Sequence, residues 1–222
     1  RTQSRLPQPV SVSQVDEEFT IMRERAERVF EYALPHLATL ALSLTPQQIA
    51  SIERKFASNN EKFRKETLRK SPAEQRQARY EKVMKQAEYW FGKFDAAQKE
   101  RIRAASDARP MDYEIWMQER LRRQRELIAF LKKVQAERPA RHAVEGMLRA
   151  YMGGVLHNFT YTENKPFFDA SRHGMAEMTA QIINLATPAQ KAHANRRLQS
   201  LIDDGHKLAG IRSGQQVSLQ ER

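Results

Sequence analysis

At five changes of apolar periodicity along this chain a Ser, Thr or Asp is followed three residues later by Gln or Glu, and no other feature of the sequence restricts its fold so tightly. The five pairs are Ser11 with Gln14, Thr45 with Gln48, Ser71 with Glu74, Asp95 with Gln98, and Thr187 with Gln190. At this spacing the first side chain accepts from a backbone N–H three residues on, and the Gln or Glu reaches back to the N–H of the cap. Two of the donors that a helix start leaves without partners are thereby satisfied. Pro46, Pro72 and Pro188 follow three of the caps directly, in the first helical position, where a missing N–H removes no helix bond. Five helix starts are predicted.

Between these marks apolar residues recur at helical spacing. Phe19, Met22, Ala26, Val29, Phe30 and Ala33 form the first stripe, and Ile49, Ile52, Phe56 and Phe63 the second. A third carries Tyr80, Val83, Met84, Ala87, Trp90 and Phe91. A long segment from Met111 to about Ala136 carries Ile115, Trp116, Leu127, Phe130, Leu131 and Val134. Pro35 is expected to kink or restart the first helix, and Pro110 and Pro139 to sit in the opening turns of new ones. Gly146 and the Gly153-Gly154 pair predict a hinge or boundary in a helix ending near His157. The segment Asn158 to Asp169, with Phe159, Tyr161, Phe167 and Phe168, lacks a helical period and reads as a loop. Two last helices follow, Pro166 to Leu185 and Pro188 to about Ala209.

The expected fold class is all-α, an elongated multi-helix bundle of about eight helices, several joined nearly end to end. Residues 10–137 form an N-terminal helical region and 138–211 a C-terminal one, either packed on the first as one domain or separate from it, with 212–222 a frayed polar tail. With 40% hydrophobic and 29% charged residues, eight Gly and nine Pro, the composition is that of amphipathic helices rather than of disorder or a sandwich.

Thirty-eight Lys and Arg against 27 Asp and Glu leave a formal charge of +11, which attracts polyanions such as nucleic acid, anionic lipid or lipopolysaccharide. Acids are interspersed with the bases, as in Glu61 to Lys70, which is the pattern of a solvated helix face and weighs against nucleic acid as the partner. The absence of cysteine excludes disulfides, thiolate metal sites and Cys nucleophiles. No apolar run is long enough to span a bilayer. The sequence starts at Arg1 without Met, and Arg1 to Pro9 lacks the apolar core of a signal peptide, so it reads as a processed form.

A set of residues between Leu34 and Gln124 resembles a family of bacterial envelope lipoproteins known only as a domain of unknown function. The matching positions are Leu34-Pro35-x-Leu37-Ala38, Leu42 to Gln48, Lys55-Phe56 with Asn59-Asn60, and Arg64-Lys65-Glu66. They continue through Trp90-Phe91-Gly92 ahead of Asp95 to Gln98, and Trp116 with Arg120, Arg123 and Gln124. The resemblance implies a secreted precursor with a lipid-modified cysteine, tethered to a membrane only through that anchor, and a helical periplasmic body. It implies no activity. The Leu44-Thr45-x-x-Gln48 tetrad, echoed at Asp95 to Gln98 and Thr187 to Gln190, is also similar to motifs of Spy/CpxP-type periplasmic chaperones, though a capping box accounts for the same residues.

Trp116, Arg120, Arg123 and Gln124 fall with Leu127 on one broad helix face, which puts guanidinium and amide groups among residues expected to face the core. The functional expectation is a pocket for an anion, because Arg offers a planar donor fork to carboxylate or phosphate. The structural expectation, which is the commoner outcome, is that they pair with a buried Glu or cap a neighbouring helix. Asn59 and Asn60, between Phe56 and Phe63, are expected to organise helix packing. Asp169, His173 and Glu177 form a one-face ladder with metal-ligand chemistry, but a surface ion-pair ladder is the commoner use of that spacing. No phosphate loop, nucleophile elbow or zinc-protease helix motif occurs, so no enzyme and no cofactor is expected. The Asn158-Phe159-Thr160 glycosylation triplet has little force in a bacterial chain. The Met- and aromatic-rich stretch from Met147 to Met178 reads as core filling, or else as an adaptable surface for partners.

The leading functional expectation is a non-enzymatic periplasmic binding or scaffolding protein, chaperone-like, acting on envelope proteins or unfolded clients. The alternatives are a module that binds an anionic small molecule or lipid headgroup, and a basic nucleic-acid-binding protein.

Overall fold

The computed structural model describes residues 8–156, 163–208 and 210. Among them are eight α-helices and no strand, so the protein is an all-α multi-helix bundle. The helices are α1 (Val12–Ser43), α2 (Pro46–Phe63), α3 (Pro72–Phe91), α4 (Ala96–Ala108), α5 (Tyr113–Glu137), α6 (Arg141–Leu156), α7 (Lys165–Leu185) and α8 (Pro188–Leu208). A single π turn, Arg64–Leu68, extends α2, with Arg69 N donating to Arg64 O at 2.9 Å.

All five capping pairs close in both directions. Ser11, Thr45, Ser71 and Asp95 cap α1, α2, α3 and α4, each accepting from the residue at N3 while its Gln or Glu accepts from the cap N–H. Before α8, Thr187 N donates to Gln190 Oε1 at 2.8 Å and Gln190 N donates to Thr187 Oγ1 at 3.2 Å. Glu74, accepting from the Ser71 hydroxyl and backbone, is held below the usual carboxylate range by those bonds. Asp112 caps α5, its Oδ1 accepting from Glu114 N and Ile115 N.

Several local expectations are corrected. Pro35 does not restart α1, which runs through it as one helix of 32 residues, because Leu34, Ala38 and Ala41 on either side are buried and hold both halves to the core. Pro110 and Pro139 stand ahead of α5 and α6 rather than inside their first turns. Gly146, Gly153 and Gly154 all lie within an uninterrupted α6, anchored by Val144 and Leu148 at 0% and 8% exposure. The expected loop ends earlier than Asp169, since α7 begins at Lys165 and takes Phe167 and Phe168 into its first turn. Phe159, Tyr161, the 158–160 triplet and the 212–222 tail lie outside the described residues.

The stripe expected on the first helix is not core, since Met22, Ala26 and Val29 are exposed and α1 buries Val15, Leu34, Ala38 and Ala41 instead. The buried apolar residues divide into two large clusters. Leu34, Ile49, Ile128, Val134 and Val144 bring together α1, α2, α5 and α6. Met84, Phe91, Ile102, Met178 and Ile182 join α3 and α4 to α7, with Ala194 of α8. Each cluster draws on helices from both sides of residue 138. A third, smaller cluster of Val15, Ala176 and Ala180 ties the start of α1 to α7. No helix among the described residues is long and apolar enough to cross a membrane.

Candidate functional site

The polar face of α5 meets α2 at Asn60. Asn60, only 5% exposed, turns its amide toward α5. Its Nδ2 donates to Gln124 Oε1 at 2.7 Å, and its Oδ1 accepts from Arg120 Nε at 2.8 Å and Gln124 Nε2 at 3.2 Å. Asn60 is therefore the organiser of the pair, while Asn59 is half-buried and outside this set of bonds. The amide and guanidinium satisfy one another across the interface, which is what allows polar groups to sit there.

One turn earlier on α5, Glu119 is buried at 5% exposure between two arginines. Its Oε1 accepts from Arg123 Nε at 2.8 Å and Arg122 at 2.5 Å, and its Oε2 accepts from Arg122 Nε at 2.8 Å. Arg122 also pairs with Glu126. Burial pushes the Glu119 carboxyl up, but the Arg122 and Arg123 hydrogen bonds and charges outweigh it and leave it below its ordinary value. The hydrogen bond to Glu119 raises Arg122 in turn. Glu119 is a site residue that the sequence patterning missed, although its spacing of three and four residues to the two arginines was visible.

These groups border a cavity of about 400 Å³ between α2, α5 and α6. Its walls are Phe56 and Phe63 from α2, Tyr113, Trp116 and Leu127 from α5, and Tyr151 from α6. Phe63 and Tyr113 meet edge to face at 6.4 Å, and Trp116 stands edge to face on Phe168 of α7 at 5.0 Å. Tyr151, whose OH faces Arg123 O at 3.5 Å, has its hydroxyl pKa raised by burial. The polar lining is Glu119, Arg120, Arg123 and Gln124. Of the two arginines, Arg123 is neutralised by Glu119, whereas Arg120 bonds to an amide and lies 5.8 Å from the Phe63 ring centre, with no carboxylate paired to it among the described residues. An aromatic slot with one uncompensated guanidinium suits a ligand with an apolar body and an anionic end.

The other predicted cluster is taken up by ion pairs. Asp169 pairs with Lys165 and with Arg172 at 3.0 Å. His173 lies 3.8 Å from Asp16 and 3.4 Å from Glu177. The three side chains do not converge, and among the described residues no group of three or more His, Asp or Glu is placed to hold a metal ion.

No curated protein and no solved structure matches this chain. The profile of a family of unknown function, DUF6279, matches residues 5–147, a span that takes in α1 to α5 and with them Asn60, Glu119, Arg120 and Gln124, and the chain belongs to that family.

Proposed function

We propose that this protein is a non-enzymatic binding module of the bacterial envelope whose ligand is an anionic amphiphile held in the cavity between α2, α5 and α6. The observation that carries this reading is Arg120, a guanidinium without a carboxylate partner among the described residues, at the edge of a slot walled by five aromatic rings. Apolar contact with those rings supplies most of the affinity for a ligand tail, and the guanidinium selects the charged end. The envelope setting rests on the lipoprotein resemblance, and the basic excess suits anionic ligands.

Trp116 lines the cavity and makes a direct reporter once the other tryptophan is replaced, in a Trp90→Phe background. Dodecanoate is expected to change Trp116 emission with saturable binding, and Arg120→Gln to weaken that binding about tenfold or more. Absence of any saturable response to dodecanoate, or an equal response to dodecanol, overturns the proposal.

A second reading, a chaperone-like or scaffolding role, is favoured by α1. Met22, Val29, Tyr32, Leu37 and Leu40 are exposed on it at 36% to 84%, five of the nine large hydrophobics exposed among the described residues. On a helical wheel they fall within about 140° of arc, which exposed Arg25 and His36 share, a largely apolar strip suited to covering apolar protein surface.

A further inference from the structure

Behind Trp116, on the side away from the first cavity, lies a second space of about 390 Å³ between α1, α5 and α7. The two cavities share Trp116 and Arg123 in their walls and nothing else. The second has an apolar surface of Phe19, Met22, Phe168 and Met175 and a guanidinium of its own, Arg109.

Arg109 is set there by the fold. It is the residue after α4, and Gly174 of α7 lies directly against it: a Cβ on Gly174 would meet Pro110 Cδ at 3.0 Å and Arg109 Cγ at 3.3 Å. Of the glycines within the described residues, this is the only one with a neighbour so placed, and its lack of a side chain lets the 109–110 turn settle on α7. Arg109 then donates from Nε to Ser171 O and from its terminal nitrogen to Ser171 Oγ, both at 3.3 Å. Both acceptors are neutral. The neighbouring arginines have carboxylates: Arg79 has Asp107 at 3.4 Å, Arg123 has Glu119 at 2.8 Å and Arg172 has Asp169 at 3.0 Å. Arg109 has none among the described residues, and both burial and the charge of Arg79 disfavour its own. A half-buried cation repelled by a second cation is a costly arrangement unless an anion completes it.

We propose that this second cavity is a separate anion-binding site, in which Arg109 receives an oxyanion carried on an alkyl chain that lies over Phe19, Met22, Phe168 and Met175. Asp169 also borders the cavity, and its pairing with Lys165 and Arg172 keeps its charge from opposing the ligand. Ligand entry neutralises Arg109 without displacing a carboxylate, whereas Arg123 would have to leave Glu119 to do the same.

The site is independent of the one that contains Arg120, and titration calorimetry distinguishes them. With dodecyl phosphate below its micelle concentration, the wild-type chain is expected to bind two equivalents, Arg109→Gln one, and Arg120→Gln one. Inorganic phosphate is expected to bind at least tenfold more weakly, and dodecanol not to bind at the second site, which separates an alkyl oxyanion from free phosphate and from a merely apolar ligand. Met175→Trp fills the cavity while leaving Arg109 in place, and is expected to remove the same equivalent, so the test survives a poorly folded Arg109→Gln. An undiminished stoichiometry in both Arg109→Gln and Met175→Trp overturns the second site whatever Arg120→Gln does. Loss of one equivalent in these two variants with no effect of Arg120→Gln would retain it and remove the first.

Discussion

Gln98 and Gln190 are hydrogen-bonded to each other, each while closing its own helix cap. Gln98 Nε2 donates to Gln190 Oε1 at 2.9 Å and to Leu185 O at 2.8 Å, and Gln190 Nε2 donates to Gln98 Oε1 at 3.2 Å and to Lys93 O at 2.7 Å. Their oxygens meanwhile accept from Asp95 N and Thr187 N. Two capping boxes, local devices separated by 92 positions, are thus joined into the contact that holds the starts of α4 and α8 together.

That contact predicts non-additive energetics. Gln98→Ala and Gln190→Ala each lose a cap bond and leave the other glutamine short of a partner, so the double variant should be less destabilised than the sum of the singles. The expected coupling in a urea-denaturation cycle is about 0.5–1.5 kcal/mol. Strict additivity would mean that the two amides act only on their own helices.

Glu119 predicts a pH dependence. Its folded pKa lies below the ordinary value, so the stability it contributes is present in full above the ordinary carboxyl range and disappears as pH falls through the folded value. Glu119→Gln should cost about 1–3 kcal/mol at pH 7, because it leaves Arg122 and Arg123 without their shared anion. The gap between wild type and variant should narrow as unfolding is repeated toward pH 3, and a gap that stays constant contradicts the assignment.

Two glycines should respond in opposite directions to the same change. Gly174→Ala brings a Cβ against the Pro110 ring, which cannot swing away, and should destabilise by about 1–2 kcal/mol. Gly146→Ala meets nothing within 4 Å in the exposed face of α6 and should stabilise by about 0.5–1 kcal/mol through helix propensity. Thermal melts of the two variants check both signs.

The α1 strip predicts a separation of function from stability. Val29 and Tyr32 are 68% and 84% exposed, so Val29→Ser with Tyr32→Ser should change the unfolding free energy by less than about 0.5 kcal/mol. If α1 covers client surface, the pair should lower suppression of client aggregation in a light-scattering assay, and unchanged suppression removes that role from the strip.

Much of the architecture was legible in the sequence because its information is local. The five caps follow from spacings of three residues, and the stripes from the helical period. Two misjudgements, at Pro35 and at the glycines of α6, share one cause. Each breaker weakens a helix by about 1–3 kcal/mol, and burial of flanking residues such as Leu34, Ala38, Val144 and Leu148 offsets it. The cap at Asp112 escaped notice because Ile115 occupies the place of the Gln or Glu that completes a box.

The site divides the same way. The sequence by itself determined that Trp116, Arg120, Arg123 and Gln124 share a face of one helix. It could not tell Asn60 from Asn59, or show that Arg120 turns to the Asn60 amide, because those distinctions depend on contacts 60 and 64 residues apart along the chain. Arg109 carried no local mark at all. Only the packing of α7, permitted by Gly174, set its charge against Ser171, 62 residues downstream, and beside a cavity, since desolvation and pairing belong to neighbours in space and not to neighbours in sequence.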